Sequence, residues 1–246
     1  MKRLLTALAL IPIVTWVILS ANSRVFLAVL ATVALLCYYE YAGIAESYGF
    51  GRLNVLGYAA GMVVLVWQGE AWPLVTGTAL LALALAMRAD DLAKTLPRAA
   101  LLLIGVVYVF GCWKFALVLR ENYSHHWLMY ALLLNWAGDS GAYYVGQAFG
   151  KHRMAPRVSP KKSWEGAAAS VVTSALIGGA YLVYFIPGTT VAAAAGLTVV
   201  ANIAGQLGDL AESAIKRGAS VKDSSGILPD TAAFSIAWIA RYLRCR

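Results

Sequence analysis

Apolar residues run along this chain in stretches separated by short polar breaks, and each stretch approaches the roughly 20 residues a helix needs to cross a bilayer. The runs fall at 4–20, 25–44, 53–68, 71–87, 99–119, 127–148, 167–186 and 189–207, with those between 53 and 87 the least sharply bounded. They predict an all-α, polytopic integral membrane bundle of about eight transmembrane helices, forming a single membrane domain over residues 1–246. The opening "MKRLLTALALIPIVTWVILSANS" has the cations and apolar run of a secretory signal. Its run is long, however, and no A-x-A cleavage site follows, which favours an uncleaved first helix.

Composition agrees with the pattern. Hydrophobic residues make up 61% of the chain and charged ones 13%, about half the charge usual in a soluble domain. The basic residues give the bundle a direction, because Lys and Arg favour the cytoplasmic side. The densest group is Lys151, Arg153, Arg157, Lys161 and Lys162. With that loop inside and the runs alternating, Lys2, Arg3, Arg52, Arg88, Lys94, Arg98, Lys216, Arg217 and Lys222 also fall inside. Only Arg24 and Arg120 fall outside. The expected N-terminus is cytoplasmic.

Several polar residues carry little chemistry by themselves. Cys37, Cys112 and Cys245 lack paired or metal-ligand spacing. His125 and His126 read as a solvated outer loop rather than a metal site. Lys114 lies within a run, where an ionisable group is a functional candidate by default. A structural role, by snorkelling or by pairing with Glu40, is the favoured alternative.

The second half of the chain differs in kind. In "LNWAGDSGAYYVGQAFGK", the positions Asn135, Asp139, Tyr143, Gly146 and Gly150 recur every three or four residues and share one helical face. Glycines at this spacing can be a packing seam. A carboxylate at Asp139 in mid-run additionally needs a cation, a metal or a proton. In "GKHRMAPRVSPKKSWEG", Ser159 and Pro160 read as a helix N-cap and first position, with Lys161 and Lys162 on the first turn. Cations beside free backbone N–H groups suit a phosphate. Setting topology or touching anionic lipid is the competing role. In "GQLGDLAESAIKRGASVKDSSG", Asp209, Glu212, Ser213 and Lys216 share a helix face, Arg217 follows, and Lys222 and Asp223 sit side by side. These residues could form a salt-bridge network, or could hold a magnesium nucleotide through carboxylate oxygens with cations on the remaining phosphate charge. Spacing alone leaves both open.

The stretches "DSGAYYVGQAFGKHRMAPRVSPKKSWEG" and "GQLGDLAESAIKRGASVKDSSGILP" resemble the phosphatidate cytidylyltransferase (CDP-diacylglycerol synthase) family in order and spacing across about residues 130–229. The first 120 or so residues resemble it only as a row of membrane helices. The resemblance implies N-terminal helices over 1–125, a catalytic transmembrane region with cytoplasmic loops over 127–229, and an aberrant tail over 230–246. It also implies transfer of a cytidylyl group from CTP to phosphatidic acid, with Mg2+ and the bilayer as partners, no nucleic acid, and a homodimer as an open possibility. A second cation is likewise open. By the same resemblance Asp209 and Asp223 are metal ligands, and Asp209, Lys216 and Asp223 are the catalytic group. Lys151, Ser159, Lys161, Lys162, Ser213, Arg217 and Lys222 then bind phosphate or substrate, with Asn135, Asp139 and Tyr143 as a polar stripe.

The signature breaks after Pro229. The family continues with Gly-His-Gly-Gly and Asp-Arg-x-Asp, whereas this chain reads "DTAAFSIAWIARYLRCR". Back-translating Asp230 to Tyr242 with chosen synonymous codons and restoring one leading G gives Gly-His-Gly-Gly-Ile-Leu-Asp-Arg-Met-Asp-Ser-Pro-Val. A one-nucleotide deletion or sequencing error is therefore expected, and the chain as written is expected to be impaired. The competing functions are another CTP-dependent membrane lipid enzyme, such as a polyprenol kinase or an archaeal lipid cytidylyltransferase, and a secondary transporter. A transporter predicts charges at mid-membrane and internal symmetry, whereas here the charges crowd one face of the second half.

Overall fold

The computed structural model describes residues 2–50, 55–87 and 91–219, and over these the chain is almost entirely helical. The first four helices are α1 (Lys2–Leu19), α2 (Ser23–Ser47), α3 (Val55–Val66) and α4 (Ala71–Ala86). A continuous helical stretch, Leu92–Tyr123, follows; within it lie α5 (Thr95–Gly105) and α6 (Gly111–Val118), joined through a π-helical segment at Val106–Phe110. Then come α7 (His125–Phe149), a two-stranded hairpin of β1 (Arg153–Ala155) and β2 (Ser159–Ser163), α8 (Trp164–Phe185) and α9 (Val191–Gly218). The helices fall where the apolar runs predict them.

Four described stretches are long and apolar enough to cross a membrane: Ser23–Ser47, Leu92–Tyr123, Trp164–Phe185 and Val191–Gly218. Helices α3 and α4, at 12 and 16 residues, are shorter than a full crossing. The fold is thus all-α, with four candidate membrane spans among the described residues.

Contacts divide the chain into two compact units. One contains residues 27–115 and the end of α9 from Lys216; the other contains residues up to 26 and 116–215. In the first unit, Tyr38 is fully buried and meets Tyr58 edge-on, ring centroids 4.7 Å apart, and Phe110 at 5.4 Å. Gly57 lies against the Tyr38 ring and Gly61 against Phe110, where a side chain would collide. The Tyr41 hydroxyl donates to the Leu101 carbonyl at 2.8 Å. Lys114 donates to the carbonyls of Val64, at 3.3 Å, and Trp67, so its ammonium caps the C-terminal end of α3. Its role there is structural, through backbone carbonyls rather than chemistry. Cys37 and Cys112 are buried free thiols.

The second unit is organised around α7, α8 and α9. Arg120 ties the end of α1 to it, donating to the carbonyls of Ile18, at 2.8 Å, and Ala21 while pairing with Glu121 at 2.6 Å. His125 and His126 form the first turn of α7, capped by Ser124, rather than a loop. His126 Nδ1 lies 2.8 Å from the Tyr181 hydroxyl, so an aromatic partner on α8 accounts for it.

Candidate active site

Four elements build one pocket: the polar face of α7, the hairpin before α8, the first turns of α8, and the middle of α9. The hairpin exists because Ala155-Pro156-Arg157-Val158 turns the chain back, the Val158 N–H donating to the Ala155 carbonyl at 3.1 Å. Proline at the second position of such a turn has its φ already set. Strand pairing then aligns Arg153 with Ser163 and Ala155 with Ser159. At its base, the Trp164 N–H donates to the His152 carbonyl at 2.9 Å. The Glu165 carboxylate accepts from the His152 N–H at 3.2 Å and lies 2.6 Å from its Nδ1.

This arrangement corrects the expected start of α8. Ser159 and Pro160 are not its cap; both lie in β2. Ser163 is the N-cap, its hydroxyl accepting from the Gly166 N–H at 3.2 Å. Pairing with β1 holds residues 159–163 extended, and the next serine along takes over the capping. Lys161 and Lys162 therefore stand on a strand leading into the helix, not on its first turn.

A buried hydrogen-bonded seam sets the helices around the pocket. Asn202 on α9 donates through Nδ2 to the hydroxyls of Ser170, at 3.0 Å, and Ser174, at 2.8 Å, both on α8. Ser174 in turn donates to the Leu134 carbonyl on α7 at 2.7 Å. Tyr130 and Thr198 join α7 to α9 through their hydroxyls, 3.0 Å apart. Gly138 permits the approach: a Cβ there would sit 2.7–2.8 Å from the polar atoms of Ser170, Ser174 and Asn202. Gly138 is thus part of a packing seam with α8 and α9, and Asn135, Asp139 and Tyr143 line the pocket beside it.

That pocket, about 210 Å³, is lined by Asn135, Asp139, Tyr143, Lys161, Lys162 and Asp209, six residues selected from sequence in three separate stretches. Met154, Ala142, Ser163, Gly166, Ala167, Ser170 and Gln206 complete its wall. Lys162 Nζ and the Asp209 carboxylate lie 2.6 Å apart with both side chains mostly buried, joining β2 to α9. Asn135, 3% exposed, donates through Nδ2 to the Ala131 carbonyl at 2.8 Å, and its Oδ1 is buried without a hydrogen-bond partner. Such an orphan acceptor costs about 1–3 kcal/mol, and in native proteins it calls for an explanation.

Not every expected residue reaches the pocket. Lys151 and Ser159 belong to the loop and hairpin but do not line it, and neither does Ser213. Lys216 and Arg217 end α9 and fall in the other compact unit. Lys222, Asp223 and the segment 230–246 lie outside the described residues. Gln206 and Ser170 were missed. Gln206 stands three residues before Asp209 on the same helix face, a spacing that could have found it; Ser170 carries no signal in an otherwise apolar run.

The donor set suits a hard cation, since Asp209 and Asp139 supply carboxylate oxygens to one pocket. Among the described residues no group of three or more His, Cys, Asp or Glu side chains converges. One or two carboxylates would be the protein's share of a magnesium shell that phosphate oxygens and waters complete.

A pocket of paired cations and carboxylates between membrane-type helices defines the class. The chain belongs to the cytidylyltransferase family, whose model matches residues 1–231. Among its relatives, a phosphatidate cytidylyltransferase of Haemophilus influenzae is 40% identical over 121 residues, covering 44% of this chain and 41% of that protein. Enzymes of the same name from Bacillus subtilis and Staphylococcus aureus are 36% identical over 129 residues and 38% over 131. These cover 51% and 53% of this chain and 48% and 50% of the relatives, so the alignments span about half the length of the proteins they match.

Proposed function

We propose that this protein transfers the cytidylyl group of CTP to phosphatidic acid, giving CDP-diacylglycerol and pyrophosphate at the cytoplasmic face of a bacterial inner membrane. The observation that carries this is the convergence of Asp139, Lys161, Lys162 and Asp209 on one pocket inside the region matched by the family.

The chemistry needs no general base. A phosphomonoester with a second pKa of roughly 6 is largely dianionic at neutral pH. One of its oxygens attacks the α-phosphorus of CTP. The bond from that phosphorus to the α–β bridging oxygen breaks, and pyrophosphate leaves with the electron pair. The main obstacle is repulsion between two anions, so alignment and charge neutralisation carry the catalysis. Lys161 and Lys162 lie against the phosphates, and Lys162 exchanges its pairing with Asp209 for a phosphate oxygen. Lys151, Ser159 and Ser213 hold the remaining phosphate charge. Asp209 and Asp223 would hold magnesium, with Asp139 lining the same pocket, and the ion would supply charge neutralisation on the triphosphate. The acyl chains stay in the bilayer while the headgroup enters from the hairpin side. The eight-crossing topology with a cytoplasmic N-terminus belongs to this proposal.

The family match ends at residue 231, close to Pro229, which supports a reading-frame shift there and an impaired product. The nucleotide sequence of the gene, or the intact mass of the native protein, tests the shift directly. The activity is tested in the protein with one G restored after the Pro229 codon, by incorporating labelled CTP into phosphatidate vesicles, with Asp209→Asn as the control. Released pyrophosphate and labelled CDP-diacylglycerol are expected. Released CDP would identify a kinase and overturn the proposal.

A further inference from the structure

The pocket has two chemically different ends. Toward the hairpin it is charged, with Lys161, Lys162 and Asp209. One helical turn further from the hairpin than Asp139 it becomes neutral, with Asn135 on α7 and Gln206 on α9. Both of these residues are primary amides whose nitrogens are already engaged. Asn135 Nδ2 donates to the Ala131 carbonyl at 2.8 Å. Gln206 Nε2 donates to the Ala167 carbonyl at 3.1 Å and to Asn202 Oδ1 at 2.6 Å.

These bonds fix which way each amide points, because a flip would set its oxygen against a carbonyl oxygen. The group left over at Asn135 is an acceptor, buried and without a partner among the described residues. A locked, unsatisfied acceptor at the inner end of a pocket calls for a ligand group that only donates.

We infer that this neutral end reads the nucleobase, with Asn135 Oδ1 accepting a hydrogen bond from the 4-amino group of cytosine. The inference rests on the function proposed above and extends it to the basis of nucleotide choice. Of the two substrates, phosphatidate offers no N–H, and its glycerol hydroxyls are all esterified or phosphorylated, so the nucleotide supplies the donor. A ribose hydroxyl can donate or accept and does not require an acceptor fixed in this way; an exocyclic amine does. Ala167, whose carbonyl accepts from Gln206, also lines the pocket and presents only a methyl group there. Uracil presents a carbonyl at the same ring position and would set oxygen against oxygen. Pockets that hydrogen-bond a substrate group reject analogues lacking it far more strongly than apolar pockets reject a missing methylene.

The test is calorimetric titration of the detergent-solubilised full chain, in magnesium, with CTP, UTP, dCTP, pyrophosphate and the triphosphate of the pyrimidin-2-one riboside, a deaminated analogue with hydrogen in place of the 4-amino group. Wild-type protein should bind CTP at least about ten-fold more tightly than UTP or the deaminated analogue, with dCTP close to CTP. Asn135→Leu should bring CTP down to the UTP level and leave pyrophosphate binding unchanged, since pyrophosphate uses only the charged end. Equal binding of CTP and UTP by the wild type overturns the inference and leaves the proposed function standing. So does dCTP weaker than CTP with UTP equal to it, which would put ribose at this end. A wild-type ratio kept by an Asn135→Leu protein that still binds pyrophosphate also overturns it. If the variant loses pyrophosphate binding as well, the wild-type series of analogues decides. Wild-type protein that binds no nucleotide and no pyrophosphate overturns both this inference and the proposed function.

Discussion

The two compact units differ in where polar side chains meet one another across helices. In the unit of residues 27–115, Tyr41 ends on the Leu101 carbonyl and Lys114 on those of Val64 and Trp67. Around them the packing is aromatic, Tyr38 against Tyr58 and Phe110. In the unit of residues 116–215, polar side chains meet one another across helices, as Asn202 does with Ser170 and Ser174 and as Lys162 does with Asp209. A charge in a membrane-type helix is therefore no guide to chemistry by itself. Lys114 and Lys162 are both partly buried lysines. Only the second has a carboxylate partner in a pocket.

That contrast can be broken or sharpened by substitution. The largest effect is expected from restoring one G after the Pro229 codon: labelled CTP incorporation into phosphatidate should rise from near background to ready turnover. In that restored protein, Asp209→Asn should lower turnover by about 10²–10³-fold, the loss typical of removing one pre-organised electrostatic group. Turnover that persists under thorough chelation would contradict the metal assignment of Asp209.

Packing should matter next. Gly138→Val forces a side chain into Ser170, Ser174 and Asn202, and overpacking of this kind costs up to about 3 kcal/mol; thermal unfolding in detergent reads it. Lys114→Met leaves the carbonyls of Val64 and Trp67 without their donor. It should cost about 2 kcal/mol, as hydrogen bonds from charged donors do, with nucleotide affinity unchanged. Tyr41→Phe removes one hydroxyl and should cost about 1 kcal/mol, again leaving nucleotide binding alone. A drop in CTP affinity with either of the last two would mean that the division between a packing unit and a binding unit is wrong.

Much of the fold was legible along the chain because a membrane-type helix announces itself by a long apolar run, which needs no knowledge of partners. The runs therefore mark where α1 to α9 fall. The α7 stripe was legible for a related reason: Asn135, Asp139 and Tyr143 lie on one helix, where spacing fixes the shared face. The hairpin was not. Ser159-Pro160 looks like a helix start in isolation, and only pairing with Arg153–Ala155 holds it extended and moves the cap to Ser163.

Chemistry divides along the same line. Residue types and order pointed to Lys161 and Lys162, and the family resemblance singled out Asp209, since phosphate and metal need charge whatever the fold. That Lys162 meets Asp209, that Gln206 and Ser170 share their pocket, and that Lys114 belongs to backbone carbonyls depended on how helices pack. Periodicity fixes which residues share a face of one helix, but which helix that face meets is set by contacts between residues far apart in sequence. Those contacts exist only once the chain has folded.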